Sequence, residues 1–257
     1  MFYHCSALKS FFSDLSSLTN AFSMFSECNN LESFSSDSSG SPVNLSSLTN
    51  GDGMFKYCSN LTSFSSDLSS LTSGGGMFSS CSKLASFSSN LPNLTNGKSM
   101  FNNSKLTSFN SDLSSLTNGE KMFYGCTNLT SFTSELPSLT NGIEMFRYCY
   151  KLTSFPSNLS SLTDGRGMFH YCSKLESFSS DLSSLTNGVY MFQSCDALTS
   201  FTSDLPNLTN GYGMFFRCYN LTAFSSDLPN LTSGENMFYC CTALNSFTSE
   251  LPNLENG

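Results

Sequence analysis

Residues 145–167 read MFRYCYKLTSFPSNLSSLTDGRG, and this stretch recurs along the chain with its apolar residues in fixed places. Every methionine opens a copy and is followed by phenylalanine: Met1, Met24, Met54, Met77, Met100, Met122, Met145, Met168, Met191, Met214 and Met237. A period of this length marks a repeat architecture and decides the fold before any local reading. The spacing is 23 residues, except for 30 between Met24 and Met54 and 22 between Met100 and Met122. The long copy is expected to carry an inserted loop near Ser38 to Asn44, where Gly40 and Pro42 break the pattern. The short copy reads MFNNSKL in place of MFxxCxxL.

Within one copy, numbered from its methionine, the apolar positions are 1, 2, 5, 8, 11, 15 and 18, which fit neither a continuous strand nor a helix. They fit a polygonal coil with short extended sides, tight corners and one inward face per side. The sequence therefore predicts a repeat solenoid. Eleven turns of about 23 residues form one right-handed coil over 1–257, with short parallel β-strands and tight Asn-Gly corners. Asn118-Gly119, Asn141-Gly142, Asn187-Gly188 and Asn210-Gly211, with Asp164-Gly165 as a variant, are expected to turn the chain through the left-handed region. A second corner is expected at Ser203 to Pro206, with Asp or Ser capping a single helical turn. One coil cannot bury enough apolar surface to offset the entropy of ordering it, so stacking must stabilise the array.

The order Gly142, Met145-Phe146, Cys149, Leu152, Phe155 resembles the BspA-type, or Treponema pallidum-type, leucine-rich repeat, and the resemblance covers nearly the whole chain. Methionine stands where that family has a small residue, and the second apolar strand position is serine, as at Ser157 and Ser180. The resemblance implies a non-catalytic protein, extracellular or on a cell surface, engaged in adhesion.

Net charge −8 and the lack of any basic cluster exclude the electrostatic footprint of a nucleic-acid binder. No apolar run is long enough to insert into a membrane. Cys5, Cys28, Cys58, Cys81, Cys126, Cys149, Cys172, Cys195, Cys218 and Cys241 share position 5, and Cys240 is additional. Side chains in such a column point the same way, which predicts a buried ladder of free thiols rather than disulfides. No C-x-x-C pair is present, so no metal site is expected. His4 and His170 have no orienting partner in the sequence, and neither a catalytic set nor a cofactor is expected.

Position 14 is acidic in most copies (Asp14, Asp37, Asp67, Asp112, Glu135, Asp181, Asp204, Asp227, Glu250), read as corner caps or, alternatively, as a column bridged by hard cations. Serine columns at positions 10 and 13 are expected to hydrogen-bond to one another and to backbone, with a periodic ligand such as a glycan or ice as the alternative. The Asn-x-Ser/Thr sites, such as Asn60 and Asn128, do not establish glycosylation in a sequence of this bias.

Positions 3, 4, 22 and 23 vary most and supply the candidate binding face: Tyr57, Tyr124, Tyr148, Tyr171, Tyr190, Tyr212, Phe216 and Tyr239, with Arg147 and Arg217. Tyrosine and arginine are the side chains that anchor interfaces and stack on sugars. The expected partner is a protein or glycan on a host cell or matrix. A structural alternative is a fibre of further copies stacked end to end.

Overall fold

The computed structural model of the chain describes residues 1–257 apart from Ser36 and Ser38. Its strands are β1 (Ser10–Phe12), β2 (Ser33–Ser35), β3 (Ser63–Phe64), β4 (Ser86–Phe87), β5 (Ser108–Phe109), β6 (Ser131–Phe132), β7 (Ser177–Phe178), β8 (Ser200–Phe201), β9 (Ala223–Phe224) and β10 (Ser246–Phe247). They pair in parallel, β1–β2, β3–β4, β5–β6, β7–β8 and β9–β10, in a register of one coil, as Ser63 with Ser86 and Phe64 with Phe87. The strands are short because only positions 10 and 11 are extended before the chain turns inward again. The coil from Met145 to Gly167 has none. At Ser88, Thr133, Thr202 and Thr248 the position-12 N–H donates to the preceding coil, as Thr133 to the Phe109 carbonyl at 3.0 Å, whereas Pro156 has no N–H to give. A second ladder runs along position 20, from Asn20 through Asn118 and Asn141 to Asn256.

The core is built from columns of identical side chains. Position-2 phenylalanines stack coil on coil, Phe123 on Phe146 at 5.4 Å. Position-11 phenylalanines do the same, Phe132 on Phe155 at 5.7 Å. The two columns meet edge to face, Phe132 against Phe146 at 4.9 Å and 74°. Both geometries suit the ring quadrupole, so each phenylalanine holds its neighbours in orientation as well as in place.

The Asn-Gly corner is present, but its physical reason differs from the expected one. Gly119, Gly142, Gly188 and Gly211 do not adopt positive φ. Asparagine acts as an Asx cap, the Asn118 Oδ1 accepting the Glu120 N–H at 3.1 Å. Glycine is there for space. A Cβ on Gly119 would lie 2.8 Å from the Met145 Sδ, about one turn of the coil further on, and 3.2 Å from Leu139 Cδ1. The long, adaptable thioether fills the hollow that glycine leaves, which accounts for methionine at a place where a small residue is usual. The glycine N–H donates to the next coil, Gly119 to the Asn141 carbonyl at 2.9 Å.

No helix occurs among the described residues. The second corner is a β-turn, Leu18 N–H to the Leu15 carbonyl at 2.9 Å, in which serine or proline takes the second place. Position 14 caps it where position 16 has an N–H: Asp67 Oδ1 accepts from Ser69 and Asp181 Oδ1 from Ser183, at 2.9 and 2.8 Å.

Asp37 is not part of that column. Asn44 pairs with Asp67 and takes the position-14 place, while Val43 fills the buried position 13. The insertion therefore ends before Val43. Ser38, where it was expected to begin, lies outside the described residues. Asp37 accepts the N–H groups of Ser39 and Ser41 at 2.9 and 3.3 Å. Hydrogen bonds from these two serines, the Ser39 side chain foremost, pull its carboxyl down to about 2.

Of the two serine columns, position 10 is exposed and position 13 is buried. Where position 13 bonds, it does so to backbone: Ser157 donates to the Ser134 carbonyl and Ser226 to the Ser203 carbonyl, both at 2.6 Å. All cysteines are free, and only Cys5 and Cys240 are exposed. Each buried thiol donates to the phenylalanine carbonyl of the coil before it, Cys149 to Phe123 at 3.3 Å. In the short copy Ser104 occupies the cysteine position, fully buried and 3.3 Å from Cys126 Sγ.

Candidate functional site

The side of the coil from position 20 through position 5 is a run of consecutive tight turns. Alternate N–H groups close turns within the coil, as Cys149 to the Phe146 carbonyl at 3.0 Å. The others cross to the next coil, as Tyr148 to the His170 carbonyl at 2.9 Å. This alternation forces positions 4 and 23 into the left-handed region. Tyr57, Tyr148, Tyr171, Tyr190 and Arg217 have φ of 63°, 66°, 63°, 55° and 62°. Glycine serves at the same places in Gly53, Gly76, Gly125, Gly167 and Gly213. Where a side chain is present instead, the coil carries about 1 kcal/mol or more of backbone strain.

Two of the four most variable positions, 4 and 23, are thus strained, and together with positions 3 and 22 they bring most of the expected binding face together. Tyr124 meets Tyr148 at 5.3 Å, and Tyr148 stacks on Tyr171 at 5.2 Å. Tyr171 lies 4.5 Å from His170, which approaches Tyr190 at 6.3 Å, and Tyr190 meets Tyr212 at 5.1 Å. These six rings form one ribbon from the sixth coil to the ninth. Tyr150, 42% exposed, joins it at 5.9 Å from Tyr148. Gly213 is required for its shape, because a Cβ there would run into the Tyr190 ring. Phe216 and Tyr239 form a separate stacked pair at 4.9 Å, with the Arg217 guanidinium 5.4 Å from Phe216. Tyr57 stands alone under the Lys56 ammonium at 5.2 Å.

Arg147 organises the ribbon. Its guanidinium lies 4.9 Å from the Tyr148 ring, donates to the Tyr148 hydroxyl at 3.0 Å and pairs with Glu144. Lys121 pairs with Glu144, Lys98 with Glu120 and Arg166 with Asp164, at 3.4, 2.9 and 2.9 Å. The Tyr190 hydroxyl is pushed up to about 12, chiefly by its hydrogen bond with Tyr212. From the sequence, His170 is expected only to lack an orienting partner. It sits at the centre of the ribbon, 8% exposed, and burial with the Arg147 charge pulls it down to about 4. Arg147 Nε and His170 Nε2 are buried without a hydrogen-bond partner.

The charges are segregated. All eleven Lys and Arg residues lie between positions 22 and 9, among eight carboxylates, while positions 10 to 20 carry eleven carboxylates and no cation. Among the described residues no three of His, Cys, Asp and Glu converge as metal ligands.

The repeat frame has counterparts among known proteins. The family described as BspA type Leucine rich repeat region, in a six-copy form, matches residues 49–164 and again 140–255. The chain belongs to the BspA-type leucine-rich repeat family. Its fold is similar to that of a leucine rich cell surface protein from Faecalibacterium prausnitzii A2-165, with TM-score 0.52 and 19% identity over 100% of this chain and 78% of that one. A leucine-rich repeat protein from Bacteroides ovatus ATCC 8483 is similar with TM-score 0.56 and 20% identity, over 90% of this chain and 64% of that one. No curated protein matches the sequence. At these identities the solved relatives share the fold alone.

Proposed function

We propose that this BspA-type repeat protein is a non-catalytic, surface-exposed adhesion module that binds protein or glycan through the turn side of its solenoid. The observation that carries the reading is the unbroken ribbon from Tyr124 to Tyr212, three of whose six rings, Tyr148, Tyr171 and Tyr190, stand at left-handed positions where other coils use glycine. Retaining tyrosine against backbone strain is understandable where the side chain has work at the surface. Rigid, half-buried aromatic side chains flanked by arginine are what concentrates binding energy in interfaces. Surface placement is supported by the F. prausnitzii relative, itself described as a cell surface protein. The strand side is a weaker candidate, since it repeats serine and threonine from coil to coil and offers no distinctive place.

The test is a binding screen of the purified chain against a glycan array and a panel of matrix proteins, repeated with a Tyr148→Ala/Tyr171→Ala variant. Binding that falls at least tenfold in the variant, with an unchanged circular dichroism spectrum, supports the reading. Binding indifferent to both substitutions refutes it.

A further inference from the structure

Building on that reading, we propose that the ribbon takes a protein partner, not a glycan, and that the partner's contacting surface is acidic and rich in hydrogen-bond acceptors. Three independent features of the turn side point there.

The first is that the ring faces are already used. Tyr148 stacks on Tyr171 and carries the Arg147 guanidinium, and Tyr171 also stacks on His170. A sugar binds an aromatic by laying its C–H face on an open ring, and at the centre of the ribbon no such ring is offered.

The second is polarity. Three carboxylates near the ribbon are paired, Glu144 with Arg147 and Lys121, Glu120 with Lys98 and Asp164 with Arg166, while Glu235, whose charge acts on Tyr190, has no cation paired with it among the described residues. The paired guanidinium and ammonium groups keep N–H groups that the carboxylates do not use, and these can still donate. Positions 20 to 9, the half of the coil that holds the ribbon, carry all eleven cations and nine carboxylates, whereas positions 10 to 19 carry ten carboxylates and no cation. An acidic partner is therefore steered to the turn side and repelled from the other.

The third is that the row is aperiodic. Successive coils present Tyr124, then Tyr148, then His170, Tyr171 and Tyr190, then Tyr212, so no two offer the same contact. A polymer of identical sugars gains nothing from such a row, whereas one particular protein surface does. Its dimensions agree. Four coil steps span about 20 Å at the usual strand spacing. With the charged pairs beside it, the ribbon makes an aromatic centre and a polar rim, the anatomy of a protein interface of roughly 800 Å² per side.

The experiment uses two probes on the intact chain, a displayed library of random twelve-residue peptides and a glycan array. Selected peptides are expected to hold at least twice the Asp and Glu content of the unselected library. Their binding should weaken at least tenfold with Tyr171→Gly, which suits the left-handed position, and with Arg166→Glu at the exposed rim. Raised salt should weaken it further. Selected peptides without acidic enrichment, or binding insensitive to Arg166→Glu, would overturn the proposal. Glycan binding lost with Tyr171→Gly would overturn it while leaving the adhesion reading intact. Absence of any Tyr171-dependent binding to either probe would sink both.

Discussion

Tyr57 allows the left-handed turn to be tested without disturbing the ribbon. It has φ of 63°, is 45% exposed and touches only the Lys56 ammonium among charged or aromatic groups. An L-residue in this region costs about 1–2 kcal/mol, which glycine avoids. Glycine in turn loses roughly 0.5–1 kcal/mol more chain entropy on folding. The net expectation is that Tyr57→Gly is more stable than Tyr57→Ala by about 0.5–1 kcal/mol. For a chain of this size that is about 2 °C in melting temperature. The control is Ser131 in β6, where backbone is extended and alanine should be the more stable of the pair. Melting curves followed by circular dichroism read both comparisons. If Tyr57→Ala melts at or above Tyr57→Gly, the turn geometry assigned to position 4 is wrong, and the argument from strain to function goes with it.

Three further outcomes follow from the packing. Gly119→Ala should destabilise by about 1–3 kcal/mol through overpacking against Met145 and Leu139, although its backbone carries no left-handed strain. Pairing it with Met145→Ala should remove most of the clash, a coupling that a double-mutant cycle would measure. A thiol reagent should label Cys5 and Cys240 in the native chain and the other cysteines only in denaturant. Raising the pH to 9 should not change that count, because burial pushes Cys58 and Cys126 up to about 12. His170, held neutral down to about 4, makes the fold lose stability as pH falls from the unfolded value near 6.5 through 4, where only the unfolded state takes up the proton. After solvent screening the loss is about 2 kcal/mol, or about 5 °C, and a His170→Gln variant should lack that part of the pH slope.

The period was legible in the sequence because one residue type, methionine, marks each coil, and the inward positions followed from it. Cysteine burial was legible for the same reason, since a column of equivalent side chains can only point one way. The role of Asn-Gly was not. The same dipeptide satisfies a left-handed corner and a close approach, and only the Met145 thioether above Gly119 distinguishes them. The place of Asn44 was hidden because Asp37 sits at the right count from Met24, and counting does not show which residue pairs with Asp67. The membership of the ribbon was half legible. Variable tyrosines could be picked out, but the meeting of position 4 in one coil with position 3 in the next, which puts His170 beside Tyr148, is a product of stacking.

The cross-coil hydrogen bond of each glycine N–H also bears on how this protein ages. Asn-Gly is the dipeptide most prone to deamidation, in which the glycine nitrogen attacks the asparagine side-chain carbonyl, ammonia leaves, and the resulting succinimide opens to aspartate or isoaspartate. At Asn118-Gly119 that nitrogen is committed to the Asn141 carbonyl and the asparagine oxygen to Glu120, so neither reactant is free to approach the other. The same arrangement holds at Asn141-Gly142, Asn187-Gly188 and Asn210-Gly211. A sequence that looks chemically short-lived is preserved by the stack, and isoaspartate at these sites would record the occasions on which a coil has opened.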